Sequence, residues 1–228
     1  MSDPHVSLSG LTISNGLAAN NAGAGIDNYG VLTISNTTLS NNSAFDAGAI
    51  YNEYGGTLTV SGCILSGNSA NLVGGAIAND GTATISSNTT LSNNSANSEG
   101  GGIYNDGTLK VTGSTLSGNS AGGGGYGGVG GGIYSVGALT VSGCTLSGNS
   151  ARGGGGIAVA FNHTYSTATL TNDIVTSNTA GNTGGGLFIA SGAPVSLDSF
   201  TVANILNNTD SSGLNGPTAN IDGSYTLG

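Results

Sequence analysis

Thr57-Leu58-Thr59-Val60-Ser61-Gly62-Cys63-Ile64-Leu65-Ser66-Gly67-Asn68-Ser69-Ala70, closed by Gly74-Gly75-Ala76-Ile77, decides the fold. Leu58 and Val60 are spaced by two with Thr between them, the mark of a strand with one buried face. The same spacing returns at Leu109/Val111 and Leu139/Val141. The Leu-Ser-Gly-Asn-Ser-Ala phrase has copies ending at Ala44, Ala96, Ala121 and Ala151. The glycine phrase returns as Gly100-Gly101-Gly102-Ile103, Gly130-Gly131-Gly132-Ile133 and Gly184-Gly185-Gly186-Leu187, with looser copies before Ile26, Ile50 and Ile157. Successive apolar residues of this phrase are 24, 27, 26, 30, 24 and 30 positions apart. A period of this size signals a solenoid. The two long steps hold insertions, at 122–129 and at about 161–166.

The composition agrees with stacking and opposes other architectures. Gly, Ser, Thr and Asn make up more than half of the 228 residues, and Gly alone supplies 44. Without a period such a chain reads as disordered; with one, it reads as turns and polar strand faces. Gly, Thr and Asn disfavour helix, and Asn-Asp-Gly at 79–81 and 105–107 is turn chemistry. The repeat is too short for a propeller blade and leaves no room for crossover helices. The expected fold is all-β: a single-stranded parallel β-helix of about eight coils, each with about three short strands. One domain covers 1–228, with a partial coil or cap at 1–22, repeat coils at 23–210 and a partial coil or cap at 211–228.

Stacked coils turn each repeat position into a column. Ile26, Ile50, Ile77, Ile103, Ile133 and Ile157 form one buried column; Leu39, Leu65, Leu91, Leu116, Leu146 and Val175 form another. Leu32, Leu58, Ala83, Leu109 and Leu139 form a third. Like charges would lie over one another and repel, so a stacked chain carries few of them; this one has two basic and eleven acidic residues. Asn can bond amide to amide along a column. Asn20, Asn42, Asn68, Asn94, Asn119, Asn149 and Asn178, continued by Asn208, are one expected ladder; Asn28, Asn52, Asn79 and Asn105 are a second. Cys63 and Cys144 share a repeat position with Thr37, Thr89 and Ser114 but lie three coils, about 14 Å, apart. That is beyond disulfide reach, so both are expected as small inward thiols. Asp173 falls in the same column, where a Ser or Thr hydroxyl would partner it.

The Gly-Gly-Ala-Ile phrase resembles the GGA-[ILV] half of polymorphic outer membrane protein repeats. Leu65-Ser66-Gly67-Asn68 and Leu91-Ser92-Asn93-Asn94 resemble the FxxN half, with Leu for Phe. More broadly the chain, from about residue 10 to 210, is similar to the right-handed parallel β-helix repeats of large secreted bacterial surface proteins. The resemblance implies a right-handed coil, export, display at the bacterial cell surface, and adhesion or scaffolding; right-handedness is also the strong default for parallel crossovers. No leader is visible at Met1-Ser2-Asp3-Pro4, and the chain reads as an excerpt of a longer exported protein.

The function classes narrow on charge. A formal net charge of −9 with two cations cannot neutralise a nucleic-acid backbone, and no run of 18 apolar residues exists to insert into a membrane. The expected partner is a host or cell-surface glycan or protein, with end-to-end self-association open. Parallel β-helices also include polysaccharide lyases and hydrolases, so a carbohydrate-active enzyme is the alternative. Glycoside hydrolysis needs carboxylates converging on one groove, and no two acids here lie within two positions of each other; a non-catalytic role without a resident cofactor is expected. Glu53, Asp80 and Asp106 follow the ladder Asn in three successive coils and form a candidate Ca²⁺ column with backbone carbonyls, or else solvated turn residues. Tyr51, Tyr104 and Tyr134 share an outward position and form a candidate glycan-binding row. Thr57-Leu58-Thr59, Thr82-Ala83-Thr84 and Thr108-Leu109-Lys110, continued by Thr33 and Thr140, form a Thr-rich face similar to those of ice-binding solenoids. The glycine runs 122–125 and 153–156 lack the Lys-Ser/Thr of a phosphate loop. His5 and His163 are isolated and read as surface residues.

Overall fold

The computed structural model describes residues 5–122, 127–161, 166–210 and 220–228. The chain is a parallel β-solenoid of about eight coils. A full coil carries four short strands rather than three, for example Val31–Ser35, Thr38–Ser40, Ser43–Asp46 and Ile50–Asn52. Equivalent strands pair in parallel from coil to coil and build four sheets of nine, eight, seven and eight strands, called sheets 1 to 4 in that order. The extra strand belongs to sheet 3. It shrinks to two residues in coils such as Ser69–Ala70 and Ser95–Ala96, too short to display a period of two. A five-residue helix, Ser199–Ala203, interrupts the last coil; the Asp198 carboxylate accepts the Thr201 N–H at 2.8 Å as its N-cap. Among the described residues no helix is long and apolar enough to cross a membrane. His163, residues 123–125 of the first glycine run, and most of the second insertion lie outside the described residues, as do parts of both terminal segments.

The columns align as the repeat requires. Leu58 pairs with Leu32 below and Ala83 above in sheet 1, Leu65 with Leu39 and Leu91 in sheet 2, and Ile77 with Ile50 and Ile103 in sheet 4. All of these are at most 4% exposed. They form one continuous aliphatic cluster running the length of the rod. Burial of such side chains stabilises by about 25 cal/mol per Å² removed from water. The first described coil is the exception: Leu8, Ile13 and Ile26 pack on the cluster but stay partly exposed.

Corner chemistry explains the rest of the repeat. The residue before each Asn of the Asn42–Asn178 ladder adopts a left-handed conformation: Asn41, Gly67, Asn93, Gly118, Gly148 and Ser177 all have φ between 55° and 65°. Glycine and asparagine tolerate that region at least cost, which is why the phrase alternates between Leu-Ser-Gly-Asn and Leu-Ser-Asn-Asn. The Gly-Gly-Ala/Gly corner has a different cause. A Cβ on Gly101 would fall inside the backbone of Ser120 and Gly131, since neighbouring coils touch there main chain to main chain. The two kinds of glycine therefore respond differently to substitution. Gly101→Ala is expected to cost at least 1–3 kcal/mol through overpacking. Gly113→Asn is expected to be nearly neutral, because Gly113 (φ +51°) has open space around its Cβ position and its equivalents Asn36, Asn88 and Asn172 already sit there with positive φ. Thermal denaturation of the two variants checks the contrast.

The ladders form, with one correction at each end of the first. Asn68 Oδ1 accepts both the backbone and side-chain N–H of Asn42 at 3.1 Å. Its own Nδ2 donates to Leu39 O at 3.0 Å and to Asn94 Oδ1 at 2.9 Å. The pattern repeats through Asn119, Asn149, Asn178 and Asn208. Asn20 is not a member. It lies exposed on Leu17–Ala22, and Gly16 occupies the ladder position, its N–H donating to Asn42 Oδ1 at 2.8 Å. Leu17 pairs with Ser43, which sets Gly16 opposite Asn42, and the two-residue bulge between Ala18 and Ala22 comes only after it. At the other end the ladder runs one step further, into Asn220 Oδ1. The second ladder runs Asn28, Asn52, Asn79, Asn105 at 2.7 Å per step and ends on the Ser135 hydroxyl at 3.0 Å.

Candidate functional site

Sheet 4 presents two outward columns two residues apart. One holds Asp27, Tyr51, Ala78, Tyr104, Tyr134, Ala158, Phe188 and Asp222. The next holds Tyr29, Glu53, Asp80, Asp106 and Val136, placed in step by bonds such as Asp80 N–H to Asn52 O and Asp106 N–H to Asn79 O, both 2.9 Å. Outward direction follows from the period of two: Ile77 and Asn79 point in, so Ala78 and Asp80 point out. The face is thus a checkerboard of phenols and carboxylates. Asp46 and Glu99, at the adjoining corner, add their charge to it.

The three predicted tyrosines do share this face, but they are half-buried rather than free. Tyr51 donates its hydroxyl to Asp80 Oδ2 at 2.6 Å. Tyr104 and Tyr134 stack on each other with centroids 5.7 Å apart and planes 24° apart, a geometry favourable for aromatic pairs. Ala78 and Ala158, between tyrosine or phenylalanine neighbours, are at most 1% exposed although they point outward. The row therefore covers its own sheet and offers ring edges and hydroxyls.

The three predicted carboxylates stand in register, yet phenols engage two of them. Asp80 takes the Tyr51 hydroxyl, and the Tyr29 phenol near Glu53 and Asp27 partly offsets the rise of their carboxyls. Among the described residues no three acidic, His or Cys side chains gather closely enough to hold a metal ion. Burial pushes the carboxyls of Asp27, Asp46, Glu53 and Asp80 above the ordinary range, and neighbouring carboxylates add to the rise at Asp46, Glu53 and Asp80. Burial and the surrounding negative charge likewise raise the phenols of Tyr51, Tyr104 and Tyr134. The face resists further negative charge and favours cations or hydroxyl donors.

One feature of this region had only a weak sequence signal. An open groove of about 620 Å³ is lined by residues 54–55, 80–82 and 106–108. Its aromatic is Tyr54, 90% exposed. Tyr54 sits in a turn two residues longer than its counterparts, Asn52-Glu53-Tyr54-Gly55-Gly56-Thr57 against Asn79-Asp80-Gly81-Thr82. That length difference is the available signal. A smaller cavity of about 190 Å³ holds Arg152 beside Asn182 and Phe188. With the Asn182 amide turned to satisfy its neighbours, its oxygen accepts from Arg152 Nε at 2.8 Å.

The remaining candidates fall elsewhere. Thr33, Thr59, Thr84, Thr140 and Thr169 line up on the outer face of sheet 1, interrupted by Lys110. Cys63 and Cys144 are free, buried and inward, each thiol donating to the carbonyl two residues before it. Asp173 is fully buried in their column, with a different partner from the hydroxyl expected: its Oδ1 accepts the Cys144 N–H at 2.8 Å, while Oδ2 has no partner. The Thr201 hydroxyl instead accepts the Asp173 backbone N–H at 3.0 Å. His5 is exposed on the first strand. No protein-family model, no curated protein and no solved structure matches the chain.

Proposed function

We propose that this chain is a non-catalytic segment of an exported bacterial surface protein, extending, displaying or adhering, and that it binds glycans on the outer face of sheet 4. The observation that carries the reading is the phenol and carboxylate checkerboard of that face, with its groove. Inside the rod the asparagines are consumed by the ladders, so the outer faces are what remains to meet a partner. Hydroxyl donors of a sugar find acceptor-only carboxylates there, and phenols supply amphipathic contact area. The likeness of the Gly-Gly-Ala-Ile and Leu-x-Gly-Asn phrases to polymorphic outer membrane protein repeats supports export and display. The partly exposed apolar residues of the first described coil, Leu17 at 78% and Leu8, Ile13 and Ile26 partly covered, suit end-to-end contact between copies. A glycan array tests the central part. Hits are expected for the folded protein and are expected to fall at least tenfold in a Tyr51/Tyr104/Tyr134→Ala variant whose fold is verified by circular dichroism. An array without hits refutes glycan binding.

A carbohydrate-active enzyme is the second reading, favoured by one observation. Asp80 and Asp106 line the same groove from adjacent coils, whose strands are about 4.8 Å apart. Retaining glycoside hydrolases hold their carboxyl pair about 5–5.5 Å apart.

A further inference from the structure

The groove beside Tyr54 discriminates by charge. We infer that it takes a chain of amino sugars, one ring lying on Tyr54 and the ammonium groups facing Asp80 and Asp106. This rests on the glycan-binding reading and names the ligand class and the subsite.

Four observations converge on it. Tyr54 is the most exposed large hydrophobic side chain among the described residues, and it borders the open groove. An exposed aromatic beside a cleft gives a rigid contact at low entropy cost. Asp80 and Asp106 line the same cleft from adjacent coils, and its lining contains no Lys or Arg. Burial already raises the Asp80 carboxyl, with Asp106 adding repulsion. An arriving ammonium relieves that repulsion and meets the Tyr54 ring by cation–π attraction; a uronic acid would worsen it. Thr82 and Thr108 contribute hydroxyls at the rim, both exposed. A peptide finds less here. The amides of Asp80, Thr82, Asp106 and Thr108 already bond the preceding coil, so no unpaired strand edge is offered for β-addition.

Calorimetric titration at pH 6 tests the inference with three hexasaccharides of known charge: glucosamine, its fully N-acetylated counterpart, and galacturonate. The glucosamine chain is expected to bind at least tenfold more tightly than the N-acetylated chain, and galacturonate not at all. Tyr54→Ala and Asp106→Asn are each expected to weaken the glucosamine chain tenfold or more. Tyr54 is almost fully exposed, so its truncation removes no core contact, and equal melting temperatures verify this. Asp198→Asn, which removes a carboxylate away from sheet 4 and keeps a helix-capping side chain, is expected to change affinity less than twofold. Equal binding of the N-acetylated chain overturns the inference and leaves glycan binding intact. So does full affinity in Tyr54→Ala, which would move the site to the Tyr104/Tyr134 stack. Equal losses in Asp198→Asn and Asp106→Asn, or equally tight binding of hexalysine, would reduce the effect to general charge attraction and also overturn it. Binding of no sugar by the folded protein refutes both readings.

Discussion

Asn94→Ala is expected to destabilise the protein by about 3–6 kcal/mol and to leave much of it insoluble. Asn94 is completely buried in the middle of the ladder. Its Oδ1 is the acceptor for the backbone and side-chain N–H of Asn68, at 3.0 and 2.9 Å. Its Nδ2 donates to Leu65 O and Asn119 Oδ1, at 3.0 and 2.9 Å. Alanine strands the Asn68 backbone N–H and the Leu65 carbonyl without partners. Each buried orphan costs about 1–3 kcal/mol, and the vacated volume adds a cavity cost. Asn94→Asp isolates the donor role. It keeps an acceptor for Asn68 and turns an acceptor toward Leu65 O and Asn119 Oδ1, so it too is expected to destabilise strongly, and more at pH 8 than at pH 4. Asn20→Ala, which sequence alone puts in the same ladder, is expected to change stability by less than 0.5 kcal/mol, because Asn20 is exposed and Gly16 fills the ladder position. Urea denaturation of the three variants separates these outcomes.

Asp173→Thr is expected to stabilise, by about 2–4 kcal/mol at pH 8. Burial pushes the Asp173 carboxyl up to about 7 from its ordinary 3.8, and Oδ2 is buried without a partner. A carboxyl raised in the folded state holds its proton while the unfolded chain gives its own up. Stability is therefore greatest below about pH 4, falls as pH rises toward 7, and levels off above. A shift of about three pH units at 1.36 kcal/mol each corresponds to a loss of about 4 kcal/mol. The raised carboxyls of Asp27, Asp46, Glu53 and Asp80 push in the same direction. Asp198, lowered by its helix-cap hydrogen bonds, pushes the other way. The wild type is thus expected to melt at a higher temperature at pH 4.5 than at pH 8. Threonine suits the position because Thr37, Thr89 and Thr201 occupy it in other coils. Their hydroxyls accept the N–H of the neighbouring coil, and those of Thr37 and Thr89 donate to a nearby carbonyl. The variant's advantage should shrink as pH falls to 4. An advantage independent of pH would mean that the carboxyl is not the cause.

The coil and its columns were legible because the repeat writes them many times. Ile50, Ile77 and Ile103, or Leu39, Leu65 and Leu91, each state the same buried position, and the ladder asparagines sit at fixed distances from them. Errors fall where the repetition stops. Asn20 looks like a ladder residue by type, but Gly16, one full 26-residue step before Asn42, holds that place. Asn220 continues the ladder after a segment that does not follow the period, so counting could not reach it. The sheet 3 strand is too short to carry alternation. At the candidate site the outward tyrosines were placed correctly, since direction follows from the period of two. Their contacts were not, because whether a phenol stands free or lies on Asp80 depends on the coil above it. Tyr54 is single and has no column, so repetition said nothing of it. Asp173 was legible as inward, but its partner was not: the Cys144 N–H that meets it belongs to the preceding coil.

The proposed function requires that the carbohydrate be held and left intact. The most direct measurement is affinity electrophoresis of the protein through gels containing a panel of polysaccharides, with reducing ends assayed in each retarding gel over a day. Retardation by at least one polysaccharide with no new reducing ends is the predicted result. Reducing ends that accumulate with the wild type and vanish in Asp80→Asn or Asp106→Asn would contradict it and establish the groove as an active site.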